Sequence, residues 1–340
     1  MKKSLLLILS LVLVMSVLAA CGGNGNDTAG SKSGEKKRIA LVLPEKIGVN
    51  PFFALMDEGL QKAAADFNVE VKTIESTDPA SIEQNLRTAV AENYDLIITA
   101  TFQMEDALNK IAPENPDKPF AIIDTVVDQP NVRSVVFREH EAAYLLGAAA
   151  GLATKTGTVG NVVAIDVPLM QKYIVGFAEG AKSVRPDVNI LVNFVGGFTD
   201  PAKAKELALL QNSQGADFVS GMSAVGDLGV FEAAKEKNFY ATGQDTDNTG
   251  TDPEHVVLAQ LKGTDAVTYE TVKDFVNESE FSFDIRDYGL KEGGVGLTYV
   301  THESETPLNA FIGQEIIDKL KVINEDIIAG KITVTNAMAQ

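Results

Sequence analysis

The stretch RIALVL, Arg38–Leu43, followed by GVNPFFALMDEGLQKAAADF, residues 48–67, decides the fold class. The first segment is a short continuous apolar run, as a parallel strand covered on both faces requires. The second turns helical at Pro51, with apolar residues at Phe52, Leu55, Met56, Leu60, Ala63 and Ala64, a period near 3.6. A second strand is expected at residues 69–74. Asp78-Pro79 then opens a helix carrying Ile82, Leu86, Ala89 and Val90, because Asp suits the N-cap and Pro the first turn. Further strands are expected at residues 96–99 and Phe120–Ile123. Strand–helix–strand alternation argues a parallel sheet with helices on both faces.

The same series restarts near Thr158. Strands are expected at residues 159–165, 188–195, 216–220 and 239–242, with helices between them. Asp200-Pro201 repeats the Asp-Pro helix start. A helix over residues 140–154 joins the two series. Strands near 256–261 and 296–300 and helices near 265–276 and 308–328 are too few for a third domain. The expected fold is therefore α/β: two similar doubly wound parallel-sheet lobes with an interlobe cleft, of the type I periplasmic-binding-protein kind. Residues 38–125 plus roughly 251–285 are expected in lobe 1, and residues 126–250 plus roughly 286–330 in lobe 2.

The composition bounds the function. The 340-residue chain has 45% hydrophobic and 22% charged residues, enough to bury a full core. Its net charge of −18 disfavours a nucleic-acid binder, which needs a basic face. One Cys and three widely spaced His leave little for a disulfide or a metal site. Residues 1–20 carry Lys2 and Lys3, then a long apolar run, then Ala19 and Ala20 before Cys21. This pattern reads as a secretory signal. Leu18-Ala19-Ala20-Cys21 looks like a bacterial lipobox, so Cys21 is the expected lipidation (palmitate) site. Residues 21–37, rich in Gly, Ser, Asn and Lys, form a flexible tether. The mature protein is expected at the cell membrane, lipid-anchored on the extracytoplasmic face.

Open α/β sheets bind ligands at the carboxyl ends of their strands, so strand-end residues carry the candidate site. After the first strand come Asn50, which can donate and accept at once, and the adjacent aromatics Phe52 and Phe53, of which at least one is expected to face the cleft. Asp124 follows an apolar run as either a turn cap or a ligand acceptor. Phe198 sits on a loop freed by Gly196 and Gly197. Asp245 and Asp247 share a side if extended, and Lys262 is either solvated or in the cleft. Asp245-x-Asp247-x-Thr249-Gly250 mimics a calcium loop but has Val256 where a bidentate Glu is required. There is no phosphate-cradling G-x-x-x-x-G-K-[ST], no G-x-S-x-G elbow and no H-x-x-x-H pair. No enzyme, cofactor or metal is expected.

Several stretches together resemble one family: Glu141–Gly147, Thr154–Gly160, Gly176–Ala181, Gly197–Pro201 and Gly243–Asp247. The chain is similar to the bacterial basic-membrane-protein lipoproteins, purine-nucleoside-receptor-type substrate-binding proteins of ABC importers, from about Arg38 to Ile328. The resemblance implies two lobes that close on a small ligand, a purine nucleoside as first choice, and delivery to an ABC permease and ATPase. It further implies that Phe52 and Phe198 stack the base, that Asp124 contacts it, and that Asp245 and Lys262 hold the ribose hydroxyls. One motif departs. Where the family has Asp-x-Ser-Phe-Asn, this chain has Val49-Asn50-Pro51-Phe52-Phe53, which looks like ribose-type sugar-binding proteins. A sugar-binding lipoprotein, and a ligand-sensing surface lipoprotein without transport, are the alternative expectations.

Overall fold

Residues 36–278 and 280–338 are described by a computed structural model. The expected signal peptide, Cys21 and nearly all of the tether lie outside the described residues.

Two parallel-dominated sheets of six strands organise the chain. The first contains β1 (Arg38–Leu43), β2 (Glu70–Glu75), β3 (Leu96–Ala100), β4 (Phe120–Ile123), β5 (Val132–Phe137) and a returning strand β11 (Ile285–Tyr288), in the order β2-β1-β3-β4-β5-β11. All of its pairings are parallel. The second contains β6 (Thr158–Val163), β7 (Asn189–Phe194), β8 (Phe218–Met222), β9 (Tyr240–Asp245), β10 (Val256–Lys262) and β12 (Val295–Leu297), in the order β7-β6-β8-β9-β10-β12. Only its last pairing, β10 with β12, is antiparallel. The α/β two-lobe expectation holds, with the same doubly wound order 2-1-3-4-5 in each lobe.

Alternation along β1 shows why these strands are apolar throughout. Ile39, Leu41 and Leu43 face α1 (Pro51–Phe67), while Ala40 and Val42 pack with α2 (Pro79–Ala91) and α3 (Glu105–Glu114). In the second lobe α4 (Glu139–Ala153) and α5 (Pro168–Val184) cover one face, and α6 (Pro201–Ser213) and α7 (Asp227–Lys237) the other. The returning helices α8 (Thr264–Val276) and α9 (Gly313–Ile328) pack on α1 and α4. Both Asp-Pro starts cap as expected: Asp78 accepts from the Ser81 N–H and Asp200 from the Lys203 N–H, each at 2.9 Å. The helix joining the lobes, α4, is almost wholly buried because its small residues let α5 approach closely.

The strand positions shift the expected boundaries. Val132–Phe137 pairs with β4 in the first sheet, although residues from 126 onward were expected in lobe 2. Val256–Lys262 joins the second sheet, although residues 251–285 were expected in lobe 1. The reason is connectivity. The fifth strand of each lobe precedes the crossing, so the chain crosses at 137–139, 262–264 and between β11 and β12. Arg138 ties the first and third crossings together. Its guanidinium pairs with Glu141 at 2.8 Å, with Asp287 at 3.0 Å and with Glu292.

Candidate functional site

The carboxyl ends of the first four strands of both sheets face one another across a cleft. The empty space there is about 550 Å3, part of it open to solvent. Asn50, Phe52, Phe53, Asp124, Phe198, Asp245 and Lys262 all line it. Glu45, Thr101, Phe102, Gln103, Leu169, Met170, Tyr173, Ala224 and Gln244 complete the wall.

Each lobe delivers its residues by the same backbone device. Thr101 and Ala224 follow the third strand of their lobes, with φ of 69° and 51°. Asp124 follows β4 with φ 77°, and Asp245 ends β9 with φ 70°. Non-glycine residues avoid this left-handed region, so four matched departures around one cavity mark backbone held to aim side chains inward. On the Phe198 loop, Gly196 has φ 100°, a conformation glycine adopts at no steric cost.

The side chains sort into an aromatic wall and a charged floor. The Phe52 and Phe53 rings meet edge to face, with centroids 5.2 Å apart at 87°. The Lys262 ammonium lies 5.2 Å from the Phe52 centroid and 4.9 Å from that of Phe137. It contacts the Asp124 carboxylate and lies 2.9 Å from Glu139 Oε1. Glu139 Oε2 in turn contacts the ammonium of Lys172. The Glu139 contacts are ion pairs by distance, with angles short of hydrogen-bond geometry. Asp124 thus lines the cavity with Lys262 as its ion-pair partner.

Burial and charge set the protonation pattern. Burial pushes the Asp124 carboxyl up, with Glu139 adding to the shift and Lys262 opposing it. Burial acts on Glu139 in the same sense, but the Lys262 and Lys172 ammoniums outweigh it and hold that carboxyl below its ordinary range. Asp245, with no cation in direct contact among the described residues, is pushed up to about 7, chiefly by burial and further by Asp124 and Glu139, against the pull of Lys262. Lys262 stays charged: burial disfavours its charge, but Asp124 and Glu139 prevail.

Asn50 lines the cavity and also has a role at the helix start. Its Oδ1 accepts from the Phe52 N–H at 3.1 Å, capping α1, and its Nδ2 donates to Glu45 Oε1 at 3.0 Å. Most of the amide is committed to the helix start, leaving one N–H for the cavity. Thr101, Phe102 and Gln103 went unnamed because the end of the third strand was passed over. The strand-end rule that found Asp124 applies to them equally. Asp247, the second acid of the calcium-like run, accepts from Thr249 N at 3.0 Å and from Ser304 Oγ at 2.5 Å, as a turn residue does. Among the described residues, no group of three or more His, Cys, Asp or Glu is arranged to hold a metal ion. Nor is any described helix long and apolar enough to cross a membrane.

The family model Bmp, described as ABC transporter substrate-binding protein PnrA-like, matches residues 36–333. The chain belongs to this family. A Bmp-family relative from Lactococcus lactis, an ABC transporter nucleoside-binding protein, is 30% identical, covering 98% of this chain and 99% of its own. A Pyrococcus abyssi lipoprotein is 28% identical over 84% of this chain and 74% of its own. Among solved structures, an ABC transporter solute-binding protein from Aeropyrum pernix superposes with a TM-score of 0.77 at 25% identity, covering 89% of this chain and 94% of that one. Bmp-family proteins bind substrates for ABC transporters on the extracytoplasmic side and are not enzymes.

Proposed function

We propose that this protein is a lipid-anchored receptor that captures a purine nucleoside between its lobes and hands it to an ABC permease and ATPase. One observation carries the reading: Phe52, Phe198, Asp124, Asp245 and Lys262, drawn from both lobes, line a single cavity. Two aromatics suit the faces of a flat base. The Asp245 carboxyl and the Lys262 ammonium, lining the same cavity, suit two vicinal hydroxyls, which both donate and accept. Closure then gains affinity only from contacts made to both lobes at once. The anchor is Cys21, acylated where the signal peptide ends.

The test is a thermal-shift panel with inosine, adenosine, guanosine and ribose added separately to ligand-stripped protein. A ligand that binds only the native state raises the melting temperature by mass action. A purine nucleoside should raise it at concentrations where ribose does not. Equal shifts by ribose alone would make the protein a sugar receptor, and no shift by any nucleoside would end the proposal. For the anchor, Cys21→Ser should move the protein from the detergent phase to the aqueous phase of a Triton X-114 partition.

A further inference from the structure

From the cavity wall inward, four buried charges alternate in one chain: Asp124, Lys262, Glu139 and Lys172. Glu139 is fully buried and does not line the cavity. Its two carboxylate oxygens divide between two ammoniums, Oε1 to Lys262 at 2.9 Å and Oε2 to Lys172. Lys172 is itself fixed by donating to the Phe137 carbonyl at 2.9 Å. The chain runs through the hinge. Phe137 ends β5, Glu139 opens α4 directly after the first crossing, and Lys262 ends β10 directly before the second.

A lysine is a compact charge on a flexible four-carbon stem, so its ammonium goes where the nearest acids draw it. Asp124 alone would pull Lys262 toward the first lobe. Glu139, with Oε1 at 2.9 Å, gives the ammonium a second fixed partner. Lys172 balances Glu139, so the chain holds two acids and two bases. An unbalanced buried charge would cost several kcal/mol.

We propose that Glu139 is a positioning residue for ligand capture: paired to Lys172, it holds the Lys262 ammonium at the cavity wall where a ligand's vicinal hydroxyls meet it. It touches no ligand and acts only through Lys262. The proposal rests on the reading of Asp245 and Lys262 as the hydroxyl-binding pair.

The experiment compares inosine with 2′,3′-dideoxyinosine by titration calorimetry. The wild type is compared with Glu139→Gln, with the double variant Glu139→Gln/Lys172→Met, and with Lys172→Arg. The wild type should favour inosine at least about tenfold, the worth of one charge-assisted hydrogen bond. In Glu139→Gln that preference should fall about tenfold, while affinity for dideoxyinosine stays within about threefold. Lys172→Arg keeps both charges and should keep the preference. Should Glu139→Gln fail to fold, the double variant carries the test, since it removes one charge of each sign and leaves no unpaired ion. A folded double variant that retains full preference for inosine overturns the proposal. Equal weakening of both ligands also overturns it, because that is the signature of a purely structural role. Equal binding of the two ligands by the wild type would remove the hydroxyl-binding reading itself, and the role of Glu139 with it.

Discussion

Replacing Asp245 by Asn should make the ligand-free protein more stable while weakening its hold on a nucleoside. Asp245 is 6% exposed, sits at φ 70°, and among the described residues has no ion-pair partner or hydrogen bond to its carboxylate. Burial, joined by the charges of Asp124 and Glu139 and opposed by Lys262, moves its carboxyl from 3.8 to about 7. The native state therefore holds this proton more tightly than the unfolded chain does. The sign follows from linkage. The penalty for ionising Asp245 is absent below pH 4, grows between about pH 4 and 7, and is complete above that. Moving the carboxyl from 3.8 to about 7 corresponds to about 4 kcal/mol. Asn keeps the shape without the charge. The stability gain of Asp245→Asn should thus be near zero at pH 4 and approach about 4 kcal/mol at pH 8. Urea denaturation of both ligand-free proteins at four pH values measures it, with equal m-values as the control. Asp227, whose carboxyl is pushed up to about 8 chiefly by burial and further by the Asp245 charge, titrates in both proteins; losing that charge eases its shift in the variant and adds to the gain at pH 8. A gain that does not change with pH, or a variant less stable at pH 8, would refute the reasoning. In the same variant inosine affinity should fall tenfold or more, to about the extent expected for a lost charge-assisted hydrogen bond.

Hydroxyls donating to Asp245 favour its ionised form, so nucleoside affinity should rise from pH 5 to pH 8 and level off above about 7. Calorimetry in buffers of different ionisation enthalpy should show proton release at pH 6, and an affinity flat across this range would contradict it. Phe198→Ala removes one aromatic wall of the cavity and should weaken nucleoside binding about tenfold, on the scale of one base–aromatic stack, while the inosine-to-dideoxyinosine preference persists. A change in that preference would place Phe198 on the ribose side. Gly147→Ala would set a Cβ 2.0 Å from the Phe177 carbonyl oxygen across the α4–α5 contact. It should cost about 1–3 kcal/mol in urea denaturation, as overpacking does. No measurable loss would mean that the two helices tolerate wider spacing.

Much of the site was legible because strand ends are a topological address. Once residues 38–43 and 120–123 read as parallel strands, Phe52 and Asp124 had to lie at one edge of the sheet, and the restart near Thr158 sent Phe198 and Asp245 to the facing edge. The capping role of Asn50 was passed over although its signal was present. Asn before Pro at a helix start is a cap, and the cap takes the amide oxygen. Strand β5 was not legible because VRSVVF carries Arg133 and Ser134. Arg133 is buried at 1% exposure only because Asp274, 141 residues later, pairs with it at 2.7 Å and the Ser282 and Glu280 carbonyls accept from it.

Local order was therefore the sequence's own decision. Apolar runs, helical periods and Asp-Pro caps act within a few residues, and they were enough for two repeated α/β lobes with a cleft between them. Which charges meet inside that cleft was decided by tertiary structure alone. Lys262 reaches Asp124 across 138 positions of chain, and Glu139 finds Lys172 only after α4 packs on α5. A buried ion is tolerable only beside its counter-ion, and that pairing is a property of the assembled interior rather than of any stretch of sequence.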